Sequence, residues 1–276
     1  MRRFFRFVFA LTIALIVYPL GGAFASDSSE KRARVTQIVR EVNLLPSATS
    51  PRPAAVNDQV NEGTSVRTGD ASRSELTFKD LTIDRLGANT IFSFNKAGRS
   101  IDLASGSLLL RVPKDSGGAG IKNPAVTVAI TGTTLILEAA RGGRSRLIVL
   151  EGTARLSLTQ HRDQTTAVRA GQMLEVPAGA TTLPPPVDTN LDQVMKTHPL
   201  LTEFPPLPSR DLIVAVIEQQ RTNGSAGDPI YQGRPVTGGG SGLRLPPLVS
   251  TNPNKPKAEA TPAKRKRKAQ QQDTIR

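Results

Sequence analysis

Across residues 33–180 apolar side chains recur at every second position in short runs: SELTF at 74–78, LTID at 81–84, TIFSF at 90–94, SIDL at 100–103 and SLLLRV at 107–112. RLIVL at 146–150, TARLSL at 153–158 and QMLEV at 172–176 continue the pattern. A period of two places alternate side chains on opposite faces of an extended chain, so each run reads as a half-buried β-strand. Turn residues separate the runs: Thr68-Gly69-Asp70, Lys96-Ala97-Gly98-Arg99, Arg141-Gly142-Gly143-Arg144 and His161-Arg162-Asp163. Gly142-Gly143 between two apolar runs predicts a hairpin, because a primed turn needs positive φ at both central positions. Many short strands without helices between them predict an all-β sandwich or barrel rather than an α/β fold. The 148 residues involved are enough to enclose a core. A β-solenoid is the alternative, since Gly106, Gly152 and Gly171 each precede a strand. Their spacing of 46 and then 19 residues is uneven, whereas a solenoid keeps a fixed period.

That core must supply the stability, because the 276 residues include no cysteine and hence no disulfide or thiolate zinc site. The N-terminus, MRRFFRF, carries Arg2, Arg3 and Arg6 ahead of an uncharged run over 7–20. Ala23-Phe24-Ala25 follows. A basic start, an apolar run and an A-x-A site predict a signal peptide over 1–25, cleaved between Ala25 and Ser26. The run is shorter than the roughly 20 residues a spanning helix needs. The expected location is periplasmic or secreted; an uncleaved signal anchored in the inner membrane is the alternative.

The net charge of +13 is unevenly placed. Residues 26–220 carry 22 basic and 20 acidic side chains, whereas 255–276 carry eight basic side chains against Glu259 and Asp273. Gly, Pro and Ser dominate 224–253, and the tail beyond is almost free of apolar residues. Such a segment cannot bury enough surface to offset ordering, so 224–276 reads as a disordered linker and basic tail. Lys264, Arg265, Lys266, Arg267 and Lys268 form its densest cluster. In an exported chain they are candidate contacts for an anionic envelope surface, polymer or lipid, and no specific nucleic-acid partner is expected. A solvated tail without a partner is the plainer reading.

In PAVTVAITGTTLILEA, residues 124–139, Val126, Val128 and Ile130 share one face. Strict alternation would carry that face on to Glu138, a costly core residue. One residue absorbed near Gly132, as in a β-bulge, moves the buried face to Leu135, Leu137 and Ala139 and turns Glu138 to water. Gly132-Thr133-Thr134 is no phosphate loop, lacking the lysine and the following helix. Gly117-Gly118-Ala119-Gly120-Ile121-Lys122 reads as a loop for the same reason.

VTVAITGTTLILEA resembles the V-x-V-x-G-T core of FecR domains. GTSVRTGDASRSELTFKDLTIDRLGANTIFSF at 63–94, SIDLASGSLLLRV, RLIVLEGTARLSL and TAVRAGQMLEV are similar to the family's other segments, in order, over roughly 33–180. Gly69, Gly106, Gly132, Thr133, Gly152 and Gly171 are the recurring motif positions. The resemblance implies an extracytoplasmic all-β domain, sandwich or jelly-roll-like, that binds or signals rather than catalyses. The founding member couples an outer-membrane receptor to a sigma factor through a cytoplasmic region ahead of its membrane helix. Only a few residues precede the apolar run here, so the same contact is not expected.

The catalytic inventory agrees. His161 stands in a polar turn and His198 precedes Pro199, so both read as solvated; Asp80 and Asp84 read as turn residues, and Glu138 and Glu151 lie near strand ends. No Cys–His pair or H-E-x-x-H motif is present, and no metal or cofactor is expected. With no Trp and two Tyr, a lectin-like aromatic platform is missing. Residues 181–223 form a Pro-rich segment with two short helices: one capped by Thr189-Asn190 through Lys196, one capped by Ser209 over 210 to about 221. Leu212, Ile213, Val216 and Ile217 give the second an apolar face, for packing on the β domain or for docking a partner. The expected function is a secreted, non-enzymatic module that engages a partner protein or envelope component, aided by the basic tail. Sensing of a small molecule or glycan is the alternative.

Overall fold

The computed structural model describes residues 32–96 and 98–224. Its strands form two sheets packed face to face. Sheet A has the order β4 (Gln59–Asn61), β1 (Arg32–Val39), β6 (Arg73–Phe78), β7 (Ile83–Leu86), β9 (Ser100–Arg111), β12 (Thr134–Ala139), β13 (Ser145–Glu151), β16 (Gln172–Val176), β17 (Val187–Asp188), all antiparallel. Sheet B has the order β3 (Arg52–Pro53), β2 (Val42–Leu45), β5 (Ser65–Thr68), β8 (Ile91–Asn95), β9, β10 (Gly118–Lys122), β11 (Val126–Thr131), β14 (Thr153–Leu158), β15 (Thr165–Arg169). Here β9 and β10 are parallel and the other neighbours antiparallel. β9 belongs to both sheets: 100–105 pair with β8, and 106–111 with β7 and β12. The outer edges do not meet, so no barrel closes.

The alternation written in the sequence is what fills the interior. Leu76, Phe78, Phe92, Phe94, Ile101, Leu103, Val128, Leu137 and Val149 point between the sheets and are buried. Phe78 and Phe94 meet edge to face, 4.9 Å between centroids at 79°, the arrangement that ring quadrupoles favour. The Gly-rich stretch read as a loop is in fact β10. Ala119 and Ile121 point inward while Gly118 and Gly120 take the outer positions, so the period of two is kept with glycine in the polar places. Pairing to β9 on one side and β11 on the other supplies the backbone partners that glycine's low strand propensity withholds.

At 124–139 the switch in buried parity is present. Val126, Val128 and Ile130 face the interior before Gly132, and Leu135, Leu137 and Ala139 after it. Gly132, at φ 58°, is where the strand leaves sheet B for sheet A. Beyond that corner Leu150 on β13 stands as an extra residue in the β12–β13 ladder. The expected destination of Glu138 is corrected, for it is 0 % exposed. The outer face of sheet A is not open to water where Thr134, Ile136 and Glu138 point, although at β1 Arg34 and Thr36 on the same face are exposed.

Its buried part is covered by α1 (Leu191–Thr197), α2 (Pro199–Thr202) and α3 (Arg210–Thr222). Asn190 Oδ1 accepts the Gln193 N–H at 3.0 Å and starts α1. His198 Nδ1 accepts the Leu200 N–H at 3.2 Å and starts α2, with Pro199 in the first turn. Ser209 stands at the head of α3, but its hydroxyl meets Thr134 Oγ1 at 2.9 Å instead of capping. Leu191, Val194, Leu200, Phe204, Ile213 and Ile217 pack on Leu109, Ile136, Ile148, Leu150 and Met173 to form a second core. The helices are thus a cap on the β domain. Ile213 and Ile217 are buried as the helical pattern implied, whereas Leu212 turns outward and is 46 % exposed.

Candidate functional site

The motif glycines share one structural position. Gly69 joins β5 to β6, Gly106 lies within β9, Gly132 joins β11 to β12, Gly152 joins β13 to β14, and Gly171 joins β15 to β16. Each is a corner at which the chain passes between the sheets. Neighbouring corners are hydrogen-bonded: the Gly69 N–H donates to Glu41 O at 2.9 Å, the Asn89 N–H to Gly69 O at 3.0 Å, and the Ala170 N–H to Gly152 O at 3.0 Å. Thr133 Oγ1 ties its corner to the next by donating to Thr153 O at 3.0 Å. These residues shape the sandwich and present no side chain to a ligand.

Beneath the cap lies a charged network that sequence reasoning missed. Glu138 Oε2 accepts from Arg146 Nη1 at 3.2 Å, and Glu138 Oε1 is 3.4 Å from His198 Nε2. Arg146 Nη2 also donates to Glu175 Oε2 at 3.4 Å. Arg85, 2 % exposed, donates to Glu75 Oε2 at 2.8 Å, Leu200 O at 3.0 Å and Pro205 O at 2.6 Å, and lies 4.8 Å from the centre of the Phe204 ring. Arg73 pairs with Glu203 at 3.0 Å. The signal for this arrangement was the unbroken apolar runs Leu135-Ile136-Leu137 and 147–150, which mark strands buried on both faces. Once both faces are buried, a charge on either must find a partner inside.

Ser107 stands opposite Glu138 in the β9–β12 ladder, so a serine, a histidine and a glutamate converge. They do not form a nucleophilic centre. A base must accept the serine proton on one ring nitrogen while the other faces the carboxylate. His198 turns Nε2 to Glu138 and spends Nδ1 on the Leu200 N–H. A cleft of about 220 Å³ reaches this region between the corners and the cap, lined by Asp70, Arg73, Gly87, Ser107, His198 and Leu200.

Asp80 and Asp84 have different fates. Asp80 is a turn residue: its carboxylate accepts the Thr82 N–H at 3.1 Å and pairs with Arg99 at 2.7 Å. Asp84 lies on β7 between Leu76 and Leu110, 0 % exposed, with neither carboxyl oxygen hydrogen-bonded. Burial, reinforced by the nearby charge of Asp80, holds its carboxyl well above the ordinary carboxylate range. Glu151 accepts from Thr134 at 3.3 Å, and His161 is exposed in its turn.

The outer face of sheet B is the opposite of that of sheet A: no element of the described chain covers it. Ser93, Ser100, Gly118, Gly120, Thr127, Ala129, Thr153, Ser157, Thr165 and Ala167 occupy outward positions, and Arg67, Lys122, Arg155 and Arg169 rise among them. The cleavage-site residues Ala23, Ala25 and Ser26 and the cluster at 264–268 lie outside the described residues. Among the described residues there is no group of three metal-ligating side chains, and no helix is long and apolar enough to cross a membrane.

No curated protein matches the chain. Two crystal structures of a candidate anti-sigma factor from Parabacteroides distasonis ATCC 8503, at 2.50 and 1.65 Å resolution, are similar to it, at 10 % and 11 % identity. Each aligns with 58 % of this chain and with 91 % and 92 % of its own, at a TM-score of 0.39. Residues 64–155, from the strand before the first motif corner to the strand after Gly152, match the family described as FecR protein.

Proposed function

We propose that the chain is an exported, non-enzymatic FecR-type module that regulates or signals by binding a partner protein or envelope component through its β domain. The basic cluster at 264–268 assists by attraction to anionic surfaces. One observation carries this reading. The chain covers the central strands of the outer face of sheet A, β9, β12, β13 and β16, with its own helices, spends the buried charged groups there on internal pairs, and leaves the outer face of sheet B bare. A broad rigid face without a catalytic group suits recognition, and the FecR family match supports it. Photo-crosslinkers at Ser93 and Thr127 on sheet B and at Val214 on α3 test it in the native envelope. The expected result is one recurrent crosslinked product from the two sheet B positions and none from α3. Equal, diffuse labelling from all three would sink the reading.

The cleft bounded by Asp70, Arg73, Ser107 and His198 favours a second reading, sensing of a small polar molecule. A saturable thermal shift with an envelope metabolite, abolished by Ser107→Trp, would favour it.

A further inference from the structure

The four cations of the sheet B face are aligned. Arg67 on β5 stands opposite Ile91, and Ile91 opposite Ser105. Further along β9, Asp102 is opposite Lys122 on β10, and Lys122 is opposite Thr127 on β11. Thr127 is opposite Ser157 on β14, two residues from Arg155. Arg155 is opposite Ala167 on β15, two residues from Arg169. From one cation to the next the line shifts along the sheet by two or three residues in the same direction, and together the four draw a diagonal from one line of corners to the other. At about 4.8 Å between strands and 3.4 Å per residue, the diagonal is roughly 35 Å long.

These side chains differ from those cations of the domain that are spent on ion pairs. Arg52, Arg73, Arg85, Arg99 and Arg146 each have a carboxylate partner. No acidic side chain lies within ion-pair distance of Arg67, Lys122, Arg155 or Arg169 among the described residues, and Asp102 is the one acid on the face between them. Small residues flank the diagonal, so nothing obstructs a chain lying along it, and rows of hydroxyls border it; Ser157 and Thr165 already share a hydrogen bond at 3.0 Å.

We propose that this diagonal is a docking track for a linear, carboxylate-bearing polysaccharide. Spaced unpaired cations on a straight line fit a stiff polyanion, and flanking serine and threonine hydroxyls fit a polymer rich in hydroxyls. The face has none of the large apolar side chains that insert into a lipid surface, apart from Ile91 and the half-buried Leu45 at its margin, and no aromatic ring on which a nucleic-acid base could stack. The proposal deepens the functional reading above and rests on it for the bare face being the recognition surface.

The test uses the full chain and immobilised polygalacturonate, with neutral dextran and phosphatidylglycerol vesicles as comparisons. The triple variant Lys122→Gln, Arg155→Gln, Arg169→Gln should lose binding to polygalacturonate by at least roughly ten-fold and flatten its salt dependence. Arg34→Gln, Arg141→Gln, Arg162→Gln removes the same charge elsewhere, with the tail intact, and should change affinity by less than about two-fold. Both variants should keep the wild-type melting temperature, since all six positions are exposed. Equal losses in the two variants, absence of wild-type binding, or tighter binding to the vesicles overturns the proposal. If binding is absent while the sheet B crosslinkers still capture one protein, the track fails and the functional reading stands.

Discussion

Gly132 carries two demands that no other residue type meets. Its φ of 58° is left-handed, and a Cβ there would lie 2.8 Å from Lys114 Cα and Cγ. Gly179, at φ 70°, has open space around it. Gly132→Ala should therefore cost about 3 kcal/mol, combining backbone strain and overpacking, and Gly179→Ala only about 1; urea unfolding compares them, and equal costs would remove the corner argument. Asp84 offers the opposite case, a residue whose replacement stabilises. Its carboxyl titrates higher in the folded chain than in the unfolded one, so between those values the folded state binds the extra proton. Its contribution is fully present below the unfolded carboxylate value of about 4 and is lost as pH rises toward the folded value. Asp84→Asn should leave the melting temperature nearly unchanged at about pH 4 and raise it by roughly 3–6 °C at about pH 8. Identical pH profiles for the two proteins would show that Asp84 is not the buried titrating group.

At the scale of elements the cap is the part whose attachment can be measured. α2 and the segment before α3 are held through Arg85 as well as through apolar packing. Arg85→Ala would strand Glu75 and two backbone carbonyls at the second core, a loss of about 3–5 kcal/mol. Hydrogen exchange should rise across 199–217 and stay unchanged in β11 and β14; a uniform rise would mean the cap and sandwich unfold together. The helices were legible because caps and the 3.6-residue stripe are local signals: Asn190 caps α1, and Ile213 and Ile217 lie inside. Their landing place was not legible, because Leu212 and Ile213 are adjacent and equally apolar in sequence and only the docked helix turns one away from water. The Gly-rich β10 was missed for a related reason, since its strand conformation comes from partners on β9 and β11 that are far apart in the chain.

At the scale of the molecule three layers stack in order: bare sheet, covered sheet, helical cap. This asymmetry separates the face proposed for recognition from the stabilising one, and predicts how the chain would divide its work. Truncation after Gly224 removes the cluster at 264–268. It should weaken salt-sensitive retention on envelope material while leaving the melting temperature within about 1 °C, because Gly, Pro and charged residues dominate 225–276 and offer little apolar surface to bury. Retention that survives truncation unchanged would remove the tail from the functional reading.

Local chemistry by itself determined most of the strands, the hairpin at Gly142-Gly143, the parity switch at Gly132 and the Asn190 cap of α1. Each depends on side-chain periodicity or on the φ a glycine permits, and both are properties of a few adjacent residues. Which outer face meets water was decided only by tertiary packing. Glu138 and His198, 60 residues apart, read as solvated one at a time and became a buried pair because the cap closes over sheet A. A pattern of period two states that a residue points away from the interior, and it cannot state what lies on the far side. That depends on the chain returning across the sheet, with apolar burial and partnered charges together offsetting the desolvation of the buried groups.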